Sequence, residues 1–272
     1  MVNLVTDSRF DFNRTEEYIL SIQVSLDGFS FSVIEPTENR LLVLQSTPVT
    51  ISSNHFIARR FAEWLKNQEY LLKTYAETKI LFYSEKQTFV PAEYYDYEKQ
   101  SNLAELVFGK QDGHTAKDNY WPNVPGNLIF TVPDSLLEFV DNQFPGLPIL
   151  HPLTVFNEKI LKKTKESEIT LALYFGKMNF SVLLYLDGKF WATNTFSFAH
   201  PNDVLFYVFS VLKQQGINSQ KTSLVLAGEI NEEDKNHKIL KNHFNNIVFL
   251  TSGINLFPEE FRNNQHRFIT LF

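Results

Sequence analysis

Two stretches of the chain follow one plan, and a duplicated plan restricts the possible folds more than any single residue does. Tyr18 to Gln45 reads strand, tight turn, strand, turn, strand; Ile169 to Phe198 reads the same, and a segment of helical period follows each. The first turn falls at Asp27-Gly28 in one copy and at Gly176-Lys177 in the other, 149 residues further on. In the first copy Leu20, Ile22, Val24 and Leu26 alternate with Ser21, Gln23 and Ser25, the period of two that buries one face of a strand. After Asp27-Gly28 the alternation resumes with Phe29, Phe31 and Val33, and this dipeptide supplies the positive φ that a short hairpin needs. Pro36 to Asn39 is the next turn and Leu41 to Gln45 the third strand. In the second copy Ile169, Leu171, Leu173 and Phe175 share a face, Phe180, Val182 and Leu184 follow, and Asp187-Gly188 turns the chain into Phe190 to Phe198.

Beyond each triplet the period changes. Ile57, Phe61, Trp64, Leu65, Leu72 and Tyr75 lie on one stripe, which predicts a helix from Ser52 to about Tyr75, with a strand at Lys79 to Tyr83 behind it. In the second copy a helix starts at His200-Pro201-Asn202-Asp203, with Asn202 as the expected N-cap. It is apolar nearly all round from Val204 to Leu212, which predicts deep burial, and stops at Gly216. Ser223 to Ala227, Glu232 to Phe244 and Ile247 to Leu250 read strand, helix, strand. Between the copies, Asn127 to Val132, Pro133 to Asn142 and Leu147 to Leu150 match that ending, and Pro152 to Lys163 reads as a connecting helix. The expected division is therefore a lobe at 1–150, carrying an insertion at 85–126 without counterpart, and a lobe at 151–272. The insertion holds an expected helix (Pro91 to Phe108) and a polar loop (Lys110 to Gly126).

The composition excludes several functions. A net charge of −6 with no run of basic residues argues against nucleic-acid binding, which needs a concentrated cationic face. With no cysteine there is no disulfide, thiolate nucleophile or thiolate metal site. Met1 to Tyr18 is polar and unlike a signal peptide, and no apolar run reaches the roughly 18 residues of a membrane span, so the expected compartment is the cytoplasm.

A three-stranded antiparallel start feeding α-β-α-β, present twice, resembles the actin-like ATPase superfamily with its ribonuclease-H-like lobes. Leu20-to-Val33, Phe89-Val90-Pro91, Asn202-to-Gly216 and Leu224-to-Ile230 are similar to an uncharacterised bacterial family with this fold, distantly similar in turn to the pilus-assembly and cell-division actin homologues. The resemblance implies a mixed α+β and α/β fold of two β-β-β-α-β-α-β lobes. It also implies Mg-ATP between them, with an Asp-x-Gly turn from each lobe on the phosphates. Here the first turn reads Leu26-Asp27-Gly28-Phe29-Ser30, contracted but with one aspartate; the second, Phe175-Gly176-Lys177-Met178-Asn179, has no carboxylate. Asp187 cannot substitute, because about seven strand residues place it ~23 Å away at the other sheet end. The adenosine stretch survives in part as Leu224-Val225-Leu226-Ala227-Gly228-Glu229.

The cleft candidates are thus Asp27, Gly28, Gly176, Lys177, Gly228 and Glu229; for Asp27-Gly28 and Gly176-Lys177 the bland alternative is an ordinary hairpin turn, with Lys177 solvated. The seven histidines are scattered, and His237 and His243 lack the i, i+4 spacing of helical metal pairs. His151-Pro152 and His200-Pro201 read as helix starts. The acidic clusters Glu16-Glu17, Glu232-Glu233-Asp234 and Glu259-Glu260 read as helix-start charges. Tyr94, Tyr95, Tyr97, Tyr120 and Trp121 gather in the insertion, either as a partner surface or as cover for the first lobe's core; Phe268 to Phe272 suggests a docked C-terminal strand or a partner contact. The expectation is a binding or scaffold protein without cofactor or metal, its ATPase motifs being incomplete. It would meet a protein partner through the insertion or the C-terminus; the alternative is a divergent ATPase holding Mg-ATP in the cleft.

Overall fold

The computed structural model describes residues 4–164, 167–254 and 259–272. The side chains of Glu259-Glu260 lie outside the described residues. The first half consists of β1 (Leu4–Thr6), β2 (Ile19–Ser25), β3 (Gly28–Glu35), β4 (Arg40–Pro48), α1 (Ile57–Leu65) and β5 (Glu77–Phe82). Then come β6 (Gln87–Pro91), α2 (Gln100–Phe108), β7 (His114–Tyr120), β8 (Gly126–Pro133), α3 (Asp134–Gln143) and β9 (Ile149–Leu150). After α4 (Pro152–Leu161) the second half runs β10 (Ile169–Phe175), β11 (Asn179–Leu186), β12 (Lys189–Ser197), α5 (Pro201–Gln214), β13 (Ser223–Gly228), α6 (Lys235–Lys241) and β14 (Asn246–Phe249).

The first sheet is ordered β1-β4-β3-β2-β5-β9 and the second β12-β11-β10-β13-β14. Apart from β1 the two orders are the same: an antiparallel triplet whose first strand is followed by two parallel strands. The duplication extends to an irregularity. The β3–β4 ladder slips after Val33, leaving Leu42 as the extra residue, and the β11–β12 ladder slips at Leu184, leaving Trp191. Leu42 and Trp191 are again 149 residues apart. A bulge preserved between copies is a feature of the fold.

Phe61 and Trp64 of α1 and Leu136 and Val140 of α3 pack on the first sheet with Ile22, Phe31 and Ile80. In the second half Val204, Val208 and Leu212 of α5 and Leu240 of α6 cover one face, and Leu153, Phe156 and Ile160 of α4 cover the other.

Several expectations are corrected. The helix expected to reach Tyr75 ends at Leu65: the Asn67 side chain bonds the Glu63 carbonyl, a local alternative to the helical ladder, and Leu72 is exposed. Asn127 to Val132 does not match the ending of the second copy, because β8 belongs to a separate three-stranded sheet, β6-β8-β7; the counterpart of β13 is β5. The polar loop at 110–126 contains β7, which pairs with β8 along its whole length, and the helix expected from Pro91 begins only at Gln100, after two short 3-10 turns. At α5 the cap position is His200, not Asn202; the Asp203 carboxylate accepts the N–H groups of Ala199 (2.9 Å) and His200 (2.8 Å), with Pro201 opening the helix. That helix buries one stripe only, and Phe206 is 66% exposed. The C-terminal segment is not a strand but a run of 3-10 turns over Glu259–Leu271, broken at Phe268.

Candidate functional site

The turn between β2 and β3 and the turn between β10 and β11 meet across the gap between the two sheets. Asp27 lies in the first of these. The Lys177 backbone N–H donates to Asp27 Oδ2 (3.2 Å), the Lys177 ammonium donates to the Asp27 carbonyl (3.0 Å), and its Nζ lies 3.8 Å from Oδ1. All six residues singled out from the sequence (Asp27, Gly28, Gly176, Lys177, Gly228, Glu229) line one cavity of about 190 Å³. That is below the roughly 300–1,000 Å³ usual for small-molecule sites.

Two of the glycines answer to their own backbone. Gly28 has φ +137°, and a Cβ there would run into the Thr47 carbonyl of β4; Gly228 has φ +84°, and a Cβ there would strike the Phe175 backbone of β10. Glu229 donates its backbone N–H to the Phe175 carbonyl (2.8 Å), and its carboxylate pairs with the Arg267 guanidinium. At Gly176 a Cβ would meet only the Asn179 side chain.

The C-terminal segment forms a wall of the cavity through Arg267, Phe268 and Leu271 and is tied to both halves. Thr270 donates to Gln23 Oε1 (2.6 Å) and the Ser32 hydroxyl donates to the Leu271 carbonyl (2.6 Å), while Tyr174 OH lies 3.4 Å from Thr270 Oγ1. His266 Nε2 lies 2.6 Å from the Ile230 carbonyl; burial pushes this imidazole below its ordinary pKa, so it donates as a neutral ring. Ile269 is buried with the core of the second half, and Phe268 and Leu271 pack with Ile34, Leu41 and Leu44 of the first.

Further polar bonds cross the gap beneath the turns. Tyr83, just beyond β5, donates its hydroxyl to Asn179 Oδ1 (2.7 Å), and Asn179 Nδ2 donates to Glu85 (2.7 Å). Gln87 Nε2 donates to Thr195 Oγ1 (2.9 Å). Burial raises the Tyr83 phenol above its ordinary pKa and keeps it a donor. Sequence reasoning did not single out Tyr83, Glu85, Asn179 or Gln23. A signal existed for two of them: Gln23 and Asn179 are the amide side chains of β2 and β11, whose other polar residues are serines.

The donor set does not suit Mg-ATP. The only carboxylate at the two turns already accepts from Lys177, whose ammonium supplies the positive charge that a cation would bring. Among the described residues no three His, Asp or Glu side chains gather as a metal site. Also among the described residues, no helix is long and apolar enough to cross a membrane.

A family described as "Protein of unknown function (DUF3822)" matches residues 7–247. The chain belongs to that family. No curated protein matches it in sequence. Among solved structures, this DUF3822 member is similar to a Bacteroides thetaiotaomicron protein with an actin-like ATPase fold and unknown function: TM-score 0.81, 21% identity, covering 89% of this chain and 94% of that one. The PilM-PilN type IV pilus biogenesis complex matches with TM-score 0.56 at 12% identity, covering 95% and 97%. The ethanolamine utilization protein EutJ from Carboxydothermus hydrogenoformans matches with TM-score 0.51 at 8% identity, covering 98% and 92%. These likenesses establish the actin-like ATPase fold for this family member.

The aromatic insertion divides. Trp121 is fully buried and bonds Thr154 (3.0 Å), but it packs with Phe190 and Leu153, so it covers the core of the second half and not that of the first. Tyr94, Tyr97 and Tyr120 are exposed.

Proposed function

We propose that this DUF3822 member is a non-catalytic binding or scaffold protein, an actin-like body whose interlobe cleft is clasped by its own side chains. The lobes of this reading are 1–150 and 151–272. The observation that carries it is the direct bond between the two turns, Asp27 to Lys177. In an ATP-hydrolysing relative both turns must be free to receive phosphate; here each is the other's ligand, and Glu229 is held by Arg267. The gap is further narrowed by Phe268 and Leu271. A relative of the same fold, PilM, is found in a complex with PilN, which supports a body that meets other proteins. The setting assumed is the bacterial cytoplasm.

A thermal-shift series with millimolar ATP or ADP, with and without Mg²⁺, tests this. The expected result is an unchanged melting temperature. A rise of several degrees that disappears in Asp27→Ala would instead support the other reading, a divergent nucleotide-binding protein using the six cleft residues and Mg-ATP.

A further inference from the structure

The duplication supplies an internal template for a docking surface. In the first half the outer edge of β4 is covered by β1, with Leu4 opposite Gln45, Val5 opposite Leu44 and Thr6 opposite Val43. The next N–H, that of Asp7, donates to the carbonyl of the bulge residue Leu42 (2.7 Å), and the Asp7 carboxylate lies 3.7 Å from the Arg40 guanidinium. Leu42 is buried with the core of the first half, and the buried Arg40 also bonds the Glu38 carboxylate (2.6 Å).

Moved by 149 residues, these positions become Asn194, Thr193, Ala192, Trp191 and Lys189. β12 is the edge strand of its sheet, and among the described residues no strand pairs with its outer side. β6 approaches it through Gln87 on Thr195 and Phe89 on Phe190 (4.8 Å between ring centroids), without a backbone ladder. At the open edge the Thr195 N–H is bonded by the neighbouring Asn194 side chain (2.8 Å), a local substitute for a strand partner. Trp191, the counterpart of Leu42, is 56% exposed against 2%. Lys189, the counterpart of Arg40, is exposed and has no ion pair among the described residues.

We propose that the edge of β12 is a strand-addition site for an extended segment of a partner polypeptide. In that segment two or three apolar or β-branched residues precede a carboxylate. The segment would add antiparallel to β12 as β1 adds to β4: backbone bonds to Thr193, cover over Trp191, and its carboxylate on Lys189. Main-chain bonding at an unpaired edge supplies affinity, and the alternate side chains and the ion pair supply register. The basis is Leu4–Thr6 and Asp7 in the first half, and the proposal is independent of whether the cleft binds nucleotide.

Trp191 makes the test direct, since the other two tryptophans, Trp64 and Trp121, are buried. The probe is an end-capped peptide with the sequence Leu4 to Ser8, titrated into the intact protein while tryptophan emission is followed. The expected result is a saturating blue shift. It should weaken roughly two- to five-fold when the peptide carries Asp7→Asn, the range of an exposed ion pair, and at least as much in Lys189→Glu, which sets like charges opposite each other. It should vanish in Thr193→Pro, a change an edge strand tolerates when the lost N–H faces outward. No shift at millimolar peptide, or a shift that neither Lys189→Glu nor the Asp7→Asn peptide weakens, would overturn the proposal. So would light scattering that shows a dimer in which Trp191 is already shielded before peptide is added, since the occupant would then be a second copy.

Discussion

The two halves have the same strand order and the same bulge, yet they are finished differently at the two places where a copy meets something else. At the cleft, the first turn keeps a carboxylate, Asp27, and the second presents Lys177; opposite charges allow the turns to bond each other. At the outer edge, the first copy has β1 and a buried Arg40 facing Asp7 and Glu38, and the second has an open strand with Lys189 and Trp191. Two copies able to carry the same site have diverged into complementary surfaces. One pair is an internal contact, and one edge has no strand partner among the described residues.

Substitutions can break this comparison, beginning with the glycines. Gly228→Ala drives a Cβ into the Phe175 backbone at a positive φ, so a loss of about 3–4 kcal/mol in urea unfolding is expected. Gly176→Ala, against a side chain that can turn away, should cost about 1 kcal/mol or less. If Gly176→Ala proved as damaging as Gly228→Ala, the second turn would be under a constraint that its own packing does not explain. Truncating the segment that joins the halves comes next: Ile269→Ala, at a fully buried position, should cost about 3 kcal/mol.

The two His-Pro helix starts give a comparable pair. His151 is fully buried, accepts the Leu153 N–H (3.2 Å) and lies against the Ser84 backbone (2.9 Å from its carbonyl). Burial lowers its pKa to about 4. A depressed histidine pKa means the folded state resists the proton. Its stabilising contribution is therefore complete above the unfolded value near 6.5 and is lost as pH falls toward 4, by up to about 3 kcal/mol. Urea midpoints should show that slope in the wild type and a shallower one in His151→Gln; His200→Gln, changed at an exposed site, should leave the stability at neutral pH within about 0.5 kcal/mol of the wild type. The smallest effect is that of the clasp itself. Lys177→Ala removes a bond between groups that are both more than one-third exposed, so about 0.5 kcal/mol is expected, shrinking in salt.

The repeat was readable because strands with one buried face and short hairpins leave local marks: Leu20 to Val33 and Leu171 to Leu184 alternate cleanly, and Asp187-Gly188 takes the positive φ pair its turn requires. All six cleft candidates came together because they sit at strand ends that this topology sends to one side. Their bonding was not readable. That Lys177 reaches Asp27 depends on how the halves are set against each other, which Tyr83, Asn179 and the C-terminal segment decide over long sequence separations. The insertion was misjudged for a related reason. β7 is polar on its exposed face and pairs only with β8, so neither period nor composition marks it as a strand. Phe206 misled because an apolar helix normally implies cover on every side.

The central claim is that the clasped cleft does not take nucleotide, and isothermal titration of the wild-type protein with Mg-ATP and with ADP, repeated on Asp27→Ala, tests it most directly. The account predicts no binding heat in either protein at millimolar nucleotide. Micromolar binding by the wild type that is lost in Asp27→Ala would contradict it and make the two turns a working phosphate site.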